Sequence, residues 1–205
     1  MWRRARGRGQ ARVSQLTPVV RHRRSVDANL RKRLMDITET ADLTDHPALI
    51  EEMRTQFCHT IARRQGPAAV DRYTCAVYAF DLVEDPTYVS IATFGLGRTY
   101  AGAEFVEFLL ENGLLTERPL EGGVEGDLVM YLDDGRFRHV GKLHTPNRVV
   151  SKWGTGHLWE HELWEVPLNY GNELRFFEGP VDDAGLDLFI KFAESKGFLF
   201  AGNDA

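Results

Sequence analysis

The chain has few cysteines, no long apolar run and no internal repeat, and each shortage removes a class of protein. Two cysteines in 205 residues, Cys58 and Cys75, allow at most one disulfide, which excludes a small stapled secreted scaffold. Both read as reduced thiols, Cys58 as a core or boundary residue beside a helical stripe. No apolar segment approaches the ~20 residues of a membrane-spanning helix. The run Gly95-Leu96-Gly97 followed by Gly102 lacks the spacing and the strand–helix–strand frame of a dinucleotide fingerprint, and neither cofactor nor metal is expected. No apolar h-region follows the basic start, so no secretory signal is expected and the compartment reads as cytoplasmic. An Arg-rich transit peptide or non-classical export are the alternatives, and translation from Met35 instead of Met1 would remove the basic start altogether.

What is present is an ordinary globular composition, 43% hydrophobic and 27% charged, with an uneven charge distribution. Residues 1–33 hold eleven of the 25 basic residues and one acid, Asp27, while the rest of the chain carries 29 of the 30 acids. The division expected is a basic, disordered arm over 1–33 and one domain over 34–205. Such an arm suits an anionic partner.

Val26, Leu30, Leu34, Ile37 and Ala41 fall at helical spacing and predict a helix over about 26–41. Asp45 as cap, Pro47 in the first turn and the stripe Leu49, Ile50, Met53, Phe57 and Ile61 predict a second that ends near Arg63. Thr74 caps a short helix from Cys75 to Leu82. A thiol at a helix start meets unpaired N–H groups and the positive end of the helix dipole, both of which favour thiolate. Residues 85–97 read as loop, and Ala101, Phe105, Phe108 and Leu109 as a helix stopped by Gly113.

The period then changes from 3.6 to 2. Leu128 to Leu132, the turn Asp133-Asp134-Gly135 and the following run predict a hairpin over 127–143. A turn at Thr145-Pro146-Asn147 leads to a third strand over Val149–Trp153, with a later strand at Leu174–Phe177. A last helix is capped by Asp182 or Asp183 and stopped by Gly197. Helices first and a strand meander second give an α+β fold with an antiparallel sheet.

A nucleophilic thiol needs a base and a group that orients the base. Cys75, then His139 in a strand, then polar residues in the next strand supply these in order. A turn centred on Thr145-Pro146 sets His139 opposite Ser151 or Lys152, according to a one-residue choice of register. The orienting group must accept a hydrogen bond from imidazole, which favours Ser151. Lys152 then suits an anionic substrate group.

Tyr73-Thr74-Cys75-Ala76, Gly126-Asp127-Leu128-Val129 and Arg138-His139-Val140-Gly141, in that order, resemble the NlpC-type branch of the papain-like cysteine peptidases over about 70–177. The resemblance implies a papain-like core, Cys75 as nucleophile, His139 as base, and attack on a peptide-like or acyl-amide bond through a thioester. It also implies that N–H groups at the helix start contribute to an oxyanion hole. Thr74 and Ala76 stand where many members have Asp and Ser, and the position of the third family residue falls on Ser151. Ser151-Lys152-Trp153-Gly154 through Glu160-His161 to Tyr170-Gly171 is similar to a pattern in other relatives of this superfamily. That makes His161 an alternative third residue, with Tyr73, Lys152 and Trp153 as substrate-facing candidates.

Two other readings compete. A non-catalytic module of the same fold would recruit an anionic partner through the arm. His157-Leu158-Trp159-Glu160-His161 also matches the H-x-x-E-H zinc signature, whose two histidines lie four apart on a helix with the glutamate as base.

Overall fold

The computed structural model describes residues 27–97 and 101–198. Residues 1–26, most of the basic arm, lie outside that range, and with them the expected anionic partner. Helix α1 (Ala28–Thr40) opens on Asp27, whose carboxylate accepts from the N–H groups of Asn29 at 2.9 Å and Leu30 at 3.2 Å. This capping bond satisfies two donors that a helix start otherwise leaves unpaired. Ordered structure therefore reaches back into the segment assigned to the arm: Leu30 and Arg31 are both buried.

Helix α2 (His46–Glu52) is shorter than the apolar stripe predicts. The chain tightens into a 3-10 turn at Met53–Thr55 and leaves the helix. Arg54 donates to the carbonyls of His59 and Ile61, which carries the backbone into edge strand β1 (Ala62–Arg64). Ile61 is still buried, because a strand entry meets the same apolar spacing as another helical turn would. Cys58 is exposed, not at a core boundary.

Helix α3 (Cys75–Ala79) starts where Thr74 predicts, with Thr74 Oγ1 accepting from the Val77 N–H. The expected loop at 85–97 contains helix α4 (Pro86–Ser90) and a π-turn at Ile91–Gly95. Asp85 caps it through the Tyr88 N–H at 2.7 Å, and Pro86 fits the first turn. Helix α5 (Ala103–Glu111) and strand β2 (Glu117–Arg118) follow. The remaining elements are β3 (Leu128–Asp133), β4 (Arg136–Thr145), β5 (Arg148–Lys152), β6 (Leu158–Glu162), β7 (Glu173–Phe177) and α6 (Ala184–Ser195). None of the helices in the described residues is long and apolar enough to cross a membrane.

The class is α+β with one antiparallel sheet in the order β1-β6-β5-β4-β3-β7-β2. Side chains alternate across it, and both faces are covered. Leu128, Met130, Leu132, Val140 and Phe177 pack under α3, α4, α5 and α6. On the other face Val129, Tyr131, Leu143, Val149 and Phe176 pack with Val166, and Trp153 and Trp159 pack under α1 and α2.

The β3–β4 hairpin turns on Asp134 and Gly135, both at positive φ (49° and 73°), the type I′ geometry that matches strand twist. Arg138 is an extra residue in β4: Leu132 pairs with Phe137, but Tyr131 pairs with His139. This bulge shifts the register by one and moves every later residue of β4 to the opposite face. Gly141 then crosses β5 where a Cβ would come within 2.5 Å of Val149 Cγ1 and 2.7 Å of Ser151 Cβ, so no larger residue fits. Asp127 of the Gly-Asp-Leu run accepts from the N–H groups of Val124 and Gly179 and pairs with Arg118, tying the entry of β3 to the exit of β7.

Arg31 holds the loop after β6. Its guanidinium donates to the carbonyls of Val166, Pro167 and Gly171 and to Asn172 Oδ1, over the Trp164 ring. Removing it strands buried carbonyls, each a larger loss than an exposed hydrogen bond. Arg31→Ala is expected to lower stability by about 2–3 kcal/mol in urea denaturation. A chain beginning at Met35, lacking the cap, Leu30 and Arg31 together, is expected to be weaker still. A loss below about 0.5 kcal/mol for Arg31→Ala, the range of ordinary surface changes, would mean that the guanidinium does not hold the loop.

Candidate active site

Cys75 lies at the first position of α3, on the sheet face that carries Val140. Its sulfur meets the backbone N–H groups of Val140, Ala76 and Cys75 itself, and the charge of Lys152. All four favour the thiolate. Burial outweighs them and pushes the thiol's pKa up, the reverse of what the helix start alone predicts. The site favours an anion once formed but leaves the resting group a thiol.

The strand pairing decides what lies nearby. Gly141, not His139, is opposite Ser151, so neither expected register occurs. The β4–β5 ladder ends at that pair, and beyond it Val140 and Lys152 flank the place where the strands part. His139 is next to Val140 in sequence but, because of the bulge, its ring lies on the opposite face, beside Tyr131 and stacked on Tyr170 with centroids 4.0 Å apart. It is 1% exposed and its Nε2 has no hydrogen-bond partner. Burial, helped by His161, holds its pKa well below the usual imidazole range, so the ring is neutral and has an acceptor nitrogen to offer.

Tyr170 packs on the His139 side of the sheet. Its ring covers His139, and its hydroxyl meets the Gly154 N–H and lies near enough to Cys75 to feel the sulfur's charge. Gly171 (φ 101°) makes the turn behind it, where a Cβ would fall 2.1 Å from the Leu132 carbonyl oxygen. Cys75 packs with the helix-covered face of the sheet and the His139 ring with the other, so the strand pairing does not set the imidazole against the thiol as expected.

The expected third residue is engaged elsewhere. His161 Nδ1 is 2.7 Å from the Glu162 carbonyl, which fixes that nitrogen as the donor. Its Nε2 must then accept, from Ser151 Oγ at 2.8 Å, and Ser151 in turn accepts from Trp153 Nε1 at 3.1 Å. Trp153, Ser151 and His161 form one satisfied chain next to His139 without reaching it. Tyr73, Lys152 and Trp153, expected to face substrate, and His161, the alternative third residue, are all buried. The H-x-x-E-H segment forms β6 instead of a helix. Alternation there puts Glu160 on the opposite face from His161, between Arg64 and Arg148, so the zinc geometry is not formed.

Beside α3 a cleft of about 640 Å³ opens, lined by Gln65, Pro67, Tyr78, Asp81 and Leu158 among others. Tyr78 is one turn beyond Cys75 on α3, but Cys75 itself is not among the residues that line the cleft. The cleft is not signalled by local sequence, since it arises from segments that meet only in the fold; Tyr170 ends the pattern noted above, but its stacking on His139 does not follow from that pattern.

His161 is fully buried, and its pKa is lowered to about 4, below the unfolded value near 6.5. The neutral ring is the one the fold favours, so its contribution is complete above about pH 6.5 and is lost as pH falls through about 4, on the order of 3 kcal/mol. His139 acts in the same direction. Denaturation midpoints are expected to fall over this range, less steeply in His161→Gln, and equal slopes for the two proteins would count against this origin. Comparison of the chain with family models, with curated proteins and with solved structures found no match.

Proposed function

We propose that the protein is a cysteine-dependent hydrolase of peptide-like or acyl-amide bonds, with an NlpC-type papain-like core, Cys75 as nucleophile and His139 as its base. The observations that support this reading are a thiol surrounded by backbone donors and, on the other face of the sheet, a buried, neutral imidazole whose Nε2 has no partner. A buried nitrogen without a partner is costly to keep, and a base needs such a free acceptor. The other buried imidazole of this region, His161, is fully hydrogen-bonded and suits support, not proton transfer.

This reading requires the His139 ring to reach the sulfur from the far face of the sheet; the Cys75 proton then passes to His139 Nε2 as sulfur attacks the carbonyl carbon, and the oxyanion takes N–H donors at the start of α3. The imidazolium gives its proton to the leaving amine, leaving a thioester on Cys75. Water then attacks the thioester, losing its proton to His139, and the thiol is restored. Tyr170 holds the ring by stacking. The cleft along α3 receives the acyl side of the substrate, and two unpaired cysteines suit a reducing cytoplasm.

Reaction with p-nitrophenyl acetate, followed by intact and peptide mass spectrometry, tests this assignment. Acetylation is expected at Cys75, with turnover abolished in Cys75→Ala and lowered about 10²-fold or more in His139→Ala. Acetyl carried only by the exposed Cys58, or turnover unchanged in Cys75→Ala, would overturn the reading.

A further inference from the structure

Lys152 is the most deeply buried charge of the sheet, at 0% exposure. Lysine is almost never fully buried without partners. Here its ammonium group donates to the carbonyls of Val70 and Gly156 and sits 4.3 Å from the centre of the Tyr73 ring. Val70 and Tyr73 belong to the segment leading into Cys75, and Gly156 belongs to the turn between β5 and β6. The side chain therefore rises from the end of β5 on the α3 side of the sheet, next to Val140, and ends against the approach to the thiol. A methionine or leucine would fill the same volume without leaving an ammonium group to be solvated, so packing alone does not account for a lysine.

We infer that Lys152 is a positioning residue whose fixed positive charge stabilises the Cys75 thiolate and sets the pH range over which that thiol reacts. Its carbonyl partners hold the ammonium in place. Charged and titratable groups face it from each neighbouring element: Asp71 in the preceding loop, Cys75 on α3, and His157 beyond the β5–β6 turn. Asp71 and a Cys75 thiolate favour the ammonium, whereas burial disfavours it and lowers its pKa to about 8. Below about pH 8 the charge is present and supports the thiolate. Above it the charge is lost, and rising pH ionises the thiol against a weakening field.

The inference rests on Cys75 being the reactive thiol, and the two can fail separately. Iodoacetamide alkylation of Cys75 is measured against pH in the full chain carrying Cys58→Ser, beside the same protein with Lys152→Met. Lys152→Met is expected to raise the midpoint of reactivity by about one pH unit, and so to slow alkylation at pH 7 about tenfold. It also removes the flattening of the wild-type profile above about pH 8. Should Lys152→Met fail to fold by circular dichroism, Lys152→Arg is read against Lys152→Gln. Arginine is expected to hold the midpoint and glutamine to raise it. An unchanged midpoint in folded Lys152→Met, or equal midpoints for arginine and glutamine, would overturn the inference and make the lysine structural only. If Cys75 is not acetylated by p-nitrophenyl acetate yet Lys152→Met shifts the alkylation midpoint, the hydrolase reading falls and the electrostatic one stands. Acetylation of Cys75 together with an unchanged midpoint gives the reverse.

Discussion

Side chains of a strand alternate strictly, and a sheet covered on both faces converts that alternation into an assignment of each residue to one of two separate interiors. In β4 the assignment turns on one extra residue, Arg138. Continued without it, the I′ hairpin would pair Met130 with His139 and place the imidazole under α3 with Cys75. With it, Val140 takes that place and His139 joins Tyr131 and Tyr170 on the far side. The bulge also sets which backbone N–H reaches the sulfur, and it aligns Gly141 with Ser151 where the β4–β5 ladder ends.

Buried polar groups divide this region by how completely they are satisfied. Arg31 and Lys152 each end on backbone carbonyls of loops, so each burial fixes a loop: the one that presents Tyr170 in the first case, the approach to Cys75 in the second. Trp153, Ser151 and His161 satisfy one another and end on the Glu162 carbonyl. Against these, Nε2 of His139 and Nε1 of Trp159, on the same face, are buried without a partner. Low dielectric makes paired groups rigid and an unpaired one costly.

The thiol shows two opposed effects of one environment. Backbone donors and the lysine charge favour the anion, while removal of water disfavours it, and burial is the larger influence. A helix start read from sequence supplies only the first, because burial depends on what packs over the helix. Cys58 illustrates the converse. Its place beside an apolar stripe suggests a boundary thiol, yet the helix stops at Glu52 and the residue emerges into solvent.

Local chemistry was legible where one short segment decides the outcome. Asp134-Gly135 gives the hairpin, Thr74 supplies a cap, and the period-2 run gives β3 and β4. Caps act within three residues, as those at Asp27 and Asp85 do, and the Asp85 cap starts a helix in a stretch whose composition reads as loop. The segment 158–162 was not legible as a strand, since alternation among tryptophan, glutamate and histidine also matches a helical metal motif until Ser151 and Trp159 are paired. Nor was the face of His139, the burial of Lys152 or the stacking of Tyr170. Each depends on register between strands or on contacts more than thirty residues apart in sequence, and pairing energies that differ by one residue's shift are settled by the packing of both faces, not by the strand itself.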